Sequence, residues 1–266
     1  MKIGFYVNTA KKNAKAALKP LTEKARALGL VVTENLSECE VLIALGGDGT
    51  ILRAVHEYNN ANILGFNLGG LGYLSSVGEE DFDLALKMLA ARDFKVTPRT
   101  MLEVKKPGES GFIALNDIVI MREMSGHAAI LETEVNGRAA TRYMADGLVV
   151  ATPTGSTAYS LAAGGPVLLA DSPVIAVTPI NPHALGVRPI VLNDDVSLTI
   201  TSRRRVNGVA EHIGVYADGE SVIKLGCDES IEIVKYARSA NLVELKGYDP
   251  YKVLSRKLGW NERSSQ

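Results

Sequence analysis

The 266-residue sequence has no surplus of either charge: 29 Lys and Arg stand against 30 Asp and Glu, mixed along the chain, for a formal net charge of −1. Binding a polynucleotide calls for a basic stripe or patch that neutralises phosphates, so no nucleic-acid partner is expected. The run Arg203-Arg204-Arg205 follows a strand-like stretch and precedes Asn207-Gly208, so it reads as a solvated hairpin end. Cysteine is scarce. Cys39 and Cys227 lie far apart with neither ligand-like nor redox spacing, which argues against disulfides and for a reducing compartment. Long apolar runs are also missing: Leu161 to Ala170 is interrupted by Gly164, Gly165 and Pro166 and could not span a bilayer. Met1 to Asn8 reads as a short strand ending in a polar residue rather than as a signal peptide. The expectation from these absences is a cytoplasmic protein with no membrane partner.

Several common chemical motifs are missing too. No Gly-Lys dipeptide occurs, so there is no Walker A loop. Gly70-Leu71-Gly72-Tyr73-Leu74-Ser75 approaches the dinucleotide fingerprint but carries Ser75 where its third glycine belongs. The 4 histidines are scattered without metal-ligand spacing, so no protein-held metal is expected. Gly155-Ser156 lacks the Gly-x-Ser-x-Gly elbow of a serine hydrolase.

With 46% hydrophobic and 22% charged residues the chain can bury a core without staples, and its length fits one or two domains, of which two is the better reading. Residues 1–96 alternate strand-like and helix-like segments, as an α/β layer with a parallel sheet requires. Ile3 to Val7, Val41 to Leu45 and Ile63 to Phe66 read as strands; Ala14 to Leu28, Thr50 to Tyr58 and Asp81 to Ala91 read as helices. Residues 97–245 carry many short β-rich pieces, including Met101 to Val104, Phe112 to Met121, Leu148 to Ala151 and Val174 to Thr178. Turn signals at Asn136-Gly137, Asn207-Gly208 and Asp218-Gly219 punctuate them, predicting a β-sandwich-like second domain.

Three constellations carry chemistry. A strand runs straight into Gly46-Gly47-Asp48-Gly49-Thr50 and then a helix, placing free N–H groups and a carboxylate at the carboxyl end of a parallel sheet, where α/β proteins bind phosphorylated ligands. Asp48 would repel a phosphate unless a cation or a proton transfer justifies it; the alternative is that it caps the helix. Tyr143-Met144-Ala145-Asp146-Gly147, the strand that follows, and Thr152 to Ser160 bring hydroxyls together in numbers beyond the needs of a turn. From its place before that strand, Asp146 could reach the same mouth and accept from a ribose or an amide. In the third, Asn116 and Asp117 interrupt an apolar β stretch, where an amide suits a purine edge or satisfies a local bulge.

Together these segments resemble the NAD kinase family over most of the chain, most specifically from Asp146 to Pro166. The resemblance implies a Rossmann-like N-terminal α/β domain, a C-terminal β domain, a site in the cleft between them, and homo-oligomers, dimers or tetramers. It implies that residues 246–266 pack back on the first domain. Asp48 matches the family's general base toward the adenosine ribose 2′-hydroxyl of NAD, with Gly49 and Arg53 lining the same pocket. Asn116 and Asp117 match an Asn followed by an acidic residue, and Asp146 the aspartate before a glycine turn. Thr154 and the run Thr157, Ala158, Tyr159, Ser160, Leu161 and Ala162 match the segment that holds the dinucleotide, with His127 and Asn181 as additions. NAD and ATP or another phosphoryl donor are the implied substrates, with Mg²⁺ carried on the ATP. Met144, where many relatives carry a basic residue, and Glu220, where Gln is common, depart from the pattern. A lipid kinase of the diacylglycerol or sphingosine type shares the Gly-Gly-Asp-Gly loop, and a non-catalytic NAD(P) sensor would share the binding segments.

Overall fold

The computed structural model describes residues 1–8, 12–58, 60–69, 72–123, 128–203, 205–206, 209–210 and 212–260. It divides into two compact units, Met1–Pro98 with Ala240–Gln266, and Arg99–Ser239. The first unit begins β1 (Lys2–Val7), α1 (Lys12–Ala27), β2 (Val31–Val32), β3 (Val41–Leu45), α2 (Asp48–Glu57), β4 (Asn62–Phe66), α3 (Phe82–Ala91) and β5 (Phe94–Arg99). β1 pairs in parallel with β2 and β3, and β3 with β4. All five residues of β3 are buried, which is why the strand reads as an unbroken apolar run rather than an alternating one. Ile43, Leu45, Leu64 and Phe66 share a core with Leu86 and Leu89 of α3.

The second unit holds β6 (Leu102–Lys105), β7 (Phe112–Ala114), β8 (Asp117–Arg122), β9 (Ala129–Val135), β10 (Arg138–Ala145), β11 (Gly147–Ala151), α4 (Tyr159–Ala162), β12 (Val174–Ile180), β13 (Ile190–Asn193), β14 (Leu198–Ser202), β15 (Arg205–Val206), β16 (Val209–Ala210), β17 (Ile213–Ala217), β18 (Glu220–Leu225) and β19 (Ser230–Lys235). Two six-stranded sheets form, ordered β10-β9-β14-β19-β6-β7 and β13-β12-β11-β8-β17-β18. Leu131, Ile200 and Ile233 of one pack with Ile120, Val150 and Val215 of the other, so the sheets lie face to face over one core. Val119, Val149, Ala151 and Ile180 form a second cluster, against which Ala163 packs. Burial on both faces gives β11 its wholly apolar sequence after Gly147.

Phe112 to Met121, which reads as one strand, is broken between β7 and β8 at Leu115 and Asn116. The cause is the Asp218 carboxylate, which accepts from the N–H groups of Leu115 (2.8 Å), Asn116 (2.7 Å) and Asp117 (3.3 Å) and so takes donors that a ladder would use.

The chain then returns to the first unit. β20 (Ala240–Leu245) pairs in parallel with β4, Asn241 opposite Asn62 and Leu242 opposite Ile63, completing the order β2-β1-β3-β4-β20-β5. Residues 240–245 thus differ from the sequence reading, which assigns them to the β domain. Periodicity cannot tell a parallel strand of one unit from a sandwich strand of the other. α5 (Pro250–Leu258) follows, capped by Asp249, whose carboxylate accepts from Tyr251 N–H at 2.9 Å and Lys252 N–H at 3.3 Å.

Candidate active site

In the first unit, β3 ends at Leu45 and the chain turns through Gly46 and Gly47 into α2. The Gly46 N–H donates to Phe66 O at 2.9 Å, pinning the turn to β4. A Cβ on Gly46 would collide with the Thr50 hydroxyl and lie 2.8 Å from the Thr50 Cβ, so the close approach requires glycine. Asp48 is the first residue of α2, with Gly47 at the cap position, and its carboxylate is engaged away from the helix's own N–H groups.

The Asp48 carboxylate instead accepts from Tyr73 N–H (2.8 Å), Leu74 N–H (3.2 Å), Ser75 N–H (3.1 Å) and the Ser75 hydroxyl (3.0 Å). Three successive backbone N–H groups aimed at one acceptor form an anion-binding nest. A Cβ on Gly72 would overlap Asp48 Oδ1 and the Ser75 hydroxyl and stand 2.6 Å from Asp48 Cγ. The apparent fragment of a dinucleotide fingerprint is therefore, from Gly72 onward, the cradle of the Asp48 side chain. Tyr73, Leu74 and Ser75 escape sequence reasoning as site residues because their contribution is mainly backbone. Burial and the nearby Asp48 charge raise the Tyr73 phenol above its ordinary range, and the Lys257 ammonium lies 5.6 Å from the Tyr73 ring centroid. Gly49 and Arg53 share the exposed surface of α2, with Arg53 Nε donating to Gly49 O at 3.3 Å.

In the second unit the candidate residues form two groups. At the junction of β11 with the segment after it, Thr152 N–H donates to Asn116 O at 2.9 Å, the Thr152 hydroxyl donates to Leu115 O at 2.6 Å and accepts from Gly155 N–H at 3.0 Å. A Cβ on Gly155 would strike Asn116 O, so this turn and the Asn116 backbone fit only with glycine there. Asn116 is left with a half-buried side-chain amide that makes no hydrogen bond among the described residues. Asp117 is 5% exposed, and burial first, then the neighbouring Asp218 charge, push its carboxyl up to about 7. Near neutral pH it is divided between a donor and an acceptor form.

The other group gathers at the opposite end of β11. Asp146 pairs with Arg122 Nη2 at 2.8 Å and accepts from Asn181 Nδ2 at 3.0 Å. Asp117 lies opposite Ala151, five residues along β11 from Asp146. At a rise of about 3.4 Å per residue that separates Asp146 from Asp117 by roughly 17 Å. Arg122 was not legible as a partner, because only the β8 to β11 pairing brings it beside Asp146.

Of the hydroxyls, Ser160 is fully buried and bonded to the Thr178 hydroxyl at 3.1 Å, and Ser156 donates to Pro153 O at 2.7 Å. Both hydroxyls thus have partners within the unit. Thr157 donates weakly to Thr154 O at 3.4 Å, while the buried Thr154 hydroxyl makes no hydrogen bond among the described residues. Ala158 and Leu161 are half-buried, and Tyr159 and Ala162 are exposed. His127 lies outside the described residues.

Residues 3–94 match the ATP-NAD kinase N-terminal domain and residues 115–245 the ATP-NAD kinase C-terminal domain. The chain belongs to the NAD kinase family. It is 38% identical to an NAD kinase of Clostridium beijerinckii over 85% of this chain and 80% of that one, and 32% identical to an NAD kinase of Chloroherpeton thalassium over 98% and 99%. Among solved structures it resembles yeast NADH kinase in complex with NADH, with a TM-score of 0.83 and 25% identity over 100% of this chain and 89% of the other. It also resembles an NAD kinase from Archaeoglobus fulgidus in complex with ATP, with a TM-score of 0.78 and 25% identity over 97% and 98%.

Proposed function

We propose that this chain phosphorylates the adenosine ribose 2′-hydroxyl of NAD to give NADP, with ATP as donor and Asp48 as the general base. The observation that carries this reading is the Asp48 carboxylate, held by four donors at the carboxyl end of β3 in a member of this family. As the 2′-oxygen attacks the γ-phosphorus, a new O–P bond forms. The proton of the hydroxyl passes to Asp48, and the bond to the bridging oxygen breaks with its electron pair leaving on ADP. A carboxylate already fixed in place spends no reorganisation at the moment of transfer.

In the second unit we assign Asn116 and Asp117 to recognition of the dinucleotide, with Thr154, Thr157, Ala158 and Tyr159 beside them. Asp146 with Asn181 forms a separate polar group for another part of the ligand. Gly49 and Arg53 present donors to phosphate. Among the described residues no group of three or more His, Cys, Asp or Glu side chains is arranged to hold a metal ion. Mg²⁺ is assigned to the ATP substrate, and no protein step is routed through it. A cytoplasmic location and a homo-oligomer, dimer or tetramer, complete the reading.

The test is NADP formation from NAD and ATP, with diacylglycerol and sphingosine as control acceptors. We expect turnover of NAD alone, and Asp48→Asn to abolish it while calorimetry still detects NAD binding. Turnover surviving in Asp48→Asn would remove Asp48 from the role of base. Binding of NAD without product in the unaltered chain would make it a sensor.

A further inference from the structure

The four hydrogen bonds to Asp48 are divided unevenly between its oxygens. Oδ1 accepts from Leu74 N–H at 3.2 Å, Ser75 N–H at 3.1 Å and the Ser75 hydroxyl at 3.0 Å; Oδ2 accepts only from Tyr73 N–H at 2.8 Å. A carboxylate offers about four acceptor sites over its two oxygens, so Oδ1 is fully occupied and Oδ2 retains capacity.

The Ser75 hydroxyl is itself fixed. It accepts from Asn67 Nδ2 at 2.9 Å and from Gly72 N–H at 3.1 Å, which fills its lone pairs and directs its single proton at Asp48 Oδ1. Asn67 in turn is oriented by Gly69 N–H, which donates to Asn67 Oδ1 at 3.1 Å. Asn67 is 3% and Ser75 1% exposed, so water cannot readily replace either bond. The donor order is therefore the same along the whole chain, from Asn67 through Ser75 to Asp48.

We propose that Ser75 is a positioning residue for phosphoryl transfer: with Asn67 behind it, its hydroxyl locks Asp48 Oδ1 and leaves Oδ2 as the oxygen that takes the proton from the ribose hydroxyl. The inference rests on the reading of Asp48 as the base. Without the hydroxyl, the carboxylate can turn about its last side-chain bond and spend time with the free lone pair misdirected. Proton removal has strict demands on distance and direction, whereas binding of NAD does not pass through this oxygen.

The experiment is steady-state kinetics of the full-length chain with NAD and ATP, together with calorimetric NAD binding, for Ser75→Ala, Ser75→Cys, Ser75→Thr and Asp48→Asn. Ser75→Ala is expected to lose kcat on the order of tenfold or more, while KM and Kd for NAD stay within about twofold. Ser75→Thr, which restores a hydroxyl, recovers most of that loss. Ser75→Cys puts a larger sulfur and a weak donor in place of the hydroxyl and carries the same test if Ser75→Ala does not fold. Unchanged kcat in a folded Ser75→Ala or Ser75→Cys protein overturns the proposal, and so does a parallel fall of kcat and NAD affinity, which would mark a structural role. If Asp48→Asn is inactive while the Ser75 variants keep full kcat, the positioning role alone fails; if Asp48→Asn is active, the base assignment fails.

Discussion

The Asp218 carboxylate holds the backbone N–H of Asn116 at 2.7 Å, and through that bond a residue about a hundred positions away shapes the turn that presents the Asn116 amide. The same carboxylate is the second reason, after burial, that the Asp117 carboxyl is pushed up to about 7. In the unfolded chain an Asp ionises near 4, so between about pH 4 and pH 7 the unfolded state releases this proton and the folded state keeps it. The contribution of Asp117 is fully present below pH 4 and is lost as pH rises through 7. Asp117→Asn should therefore gain stability relative to the unaltered chain across that window, by up to about 4 kcal/mol above pH 7. Thermal melts of both proteins from pH 4 to 8 check it; parallel curves would show that Asp117 ionises normally in the folded state.

Gly72→Ala puts a methyl group into the space of the Asp48 carboxylate and the Ser75 hydroxyl. The carboxylate must move, and displacements near 1 Å cost on the order of a hundredfold in rate. NADP formation should fall by about that factor or more with the circular dichroism spectrum retained. A variant with normal turnover would mean that Asp48 does not act from this position.

Arg122→Ala removes the guanidinium that orients Asp146, leaving the hydrogen bond from Asn181 Nδ2 at 3.0 Å. Both partners are about a quarter exposed, at 25% each, so the loss in stability should stay near or below about 1 kcal/mol. KM for NAD should rise several-fold with a small change in kcat, as measured by initial rates. An unchanged KM would take Asp146 out of NAD recognition.

Ser160→Ala should behave as a structural change. The lost partner leaves the buried Thr178 hydroxyl unsatisfied, which costs about 1–3 kcal/mol. Denaturant unfolding should show that decrease while KM for NAD holds steady. A rise in KM without loss of stability would return Ser160 to the ligand surface.

The loop Gly46 to Thr50 was legible because its chemistry is local: a buried strand, glycines that permit close approach, a carboxylate and a helix start lie consecutively. The Asn116-Asp117 pair was legible as a polar break in an apolar stretch, but not its cause, since Asp218 approaches from β17. The hydroxyl run was legible as a cluster but not in the role of each member. Thr152, Ser156 and Ser160 have the same composition whether they face a ligand or hold their own turn, and only burial separates the two.

By itself the sequence determined the family, the parallel-sheet character of the first part and the β character of the second, because each rests on short-range pattern. Tertiary structure alone decided that Ala240–Leu245 pairs with β4, that Asp146 and Asp117 lie at opposite ends of β11, and that Ser75 reaches Asp48. Those facts depend on strand pairing and on backbone donors, and every residue but proline carries the same N–H, so residue type holds no record of where a donor is aimed.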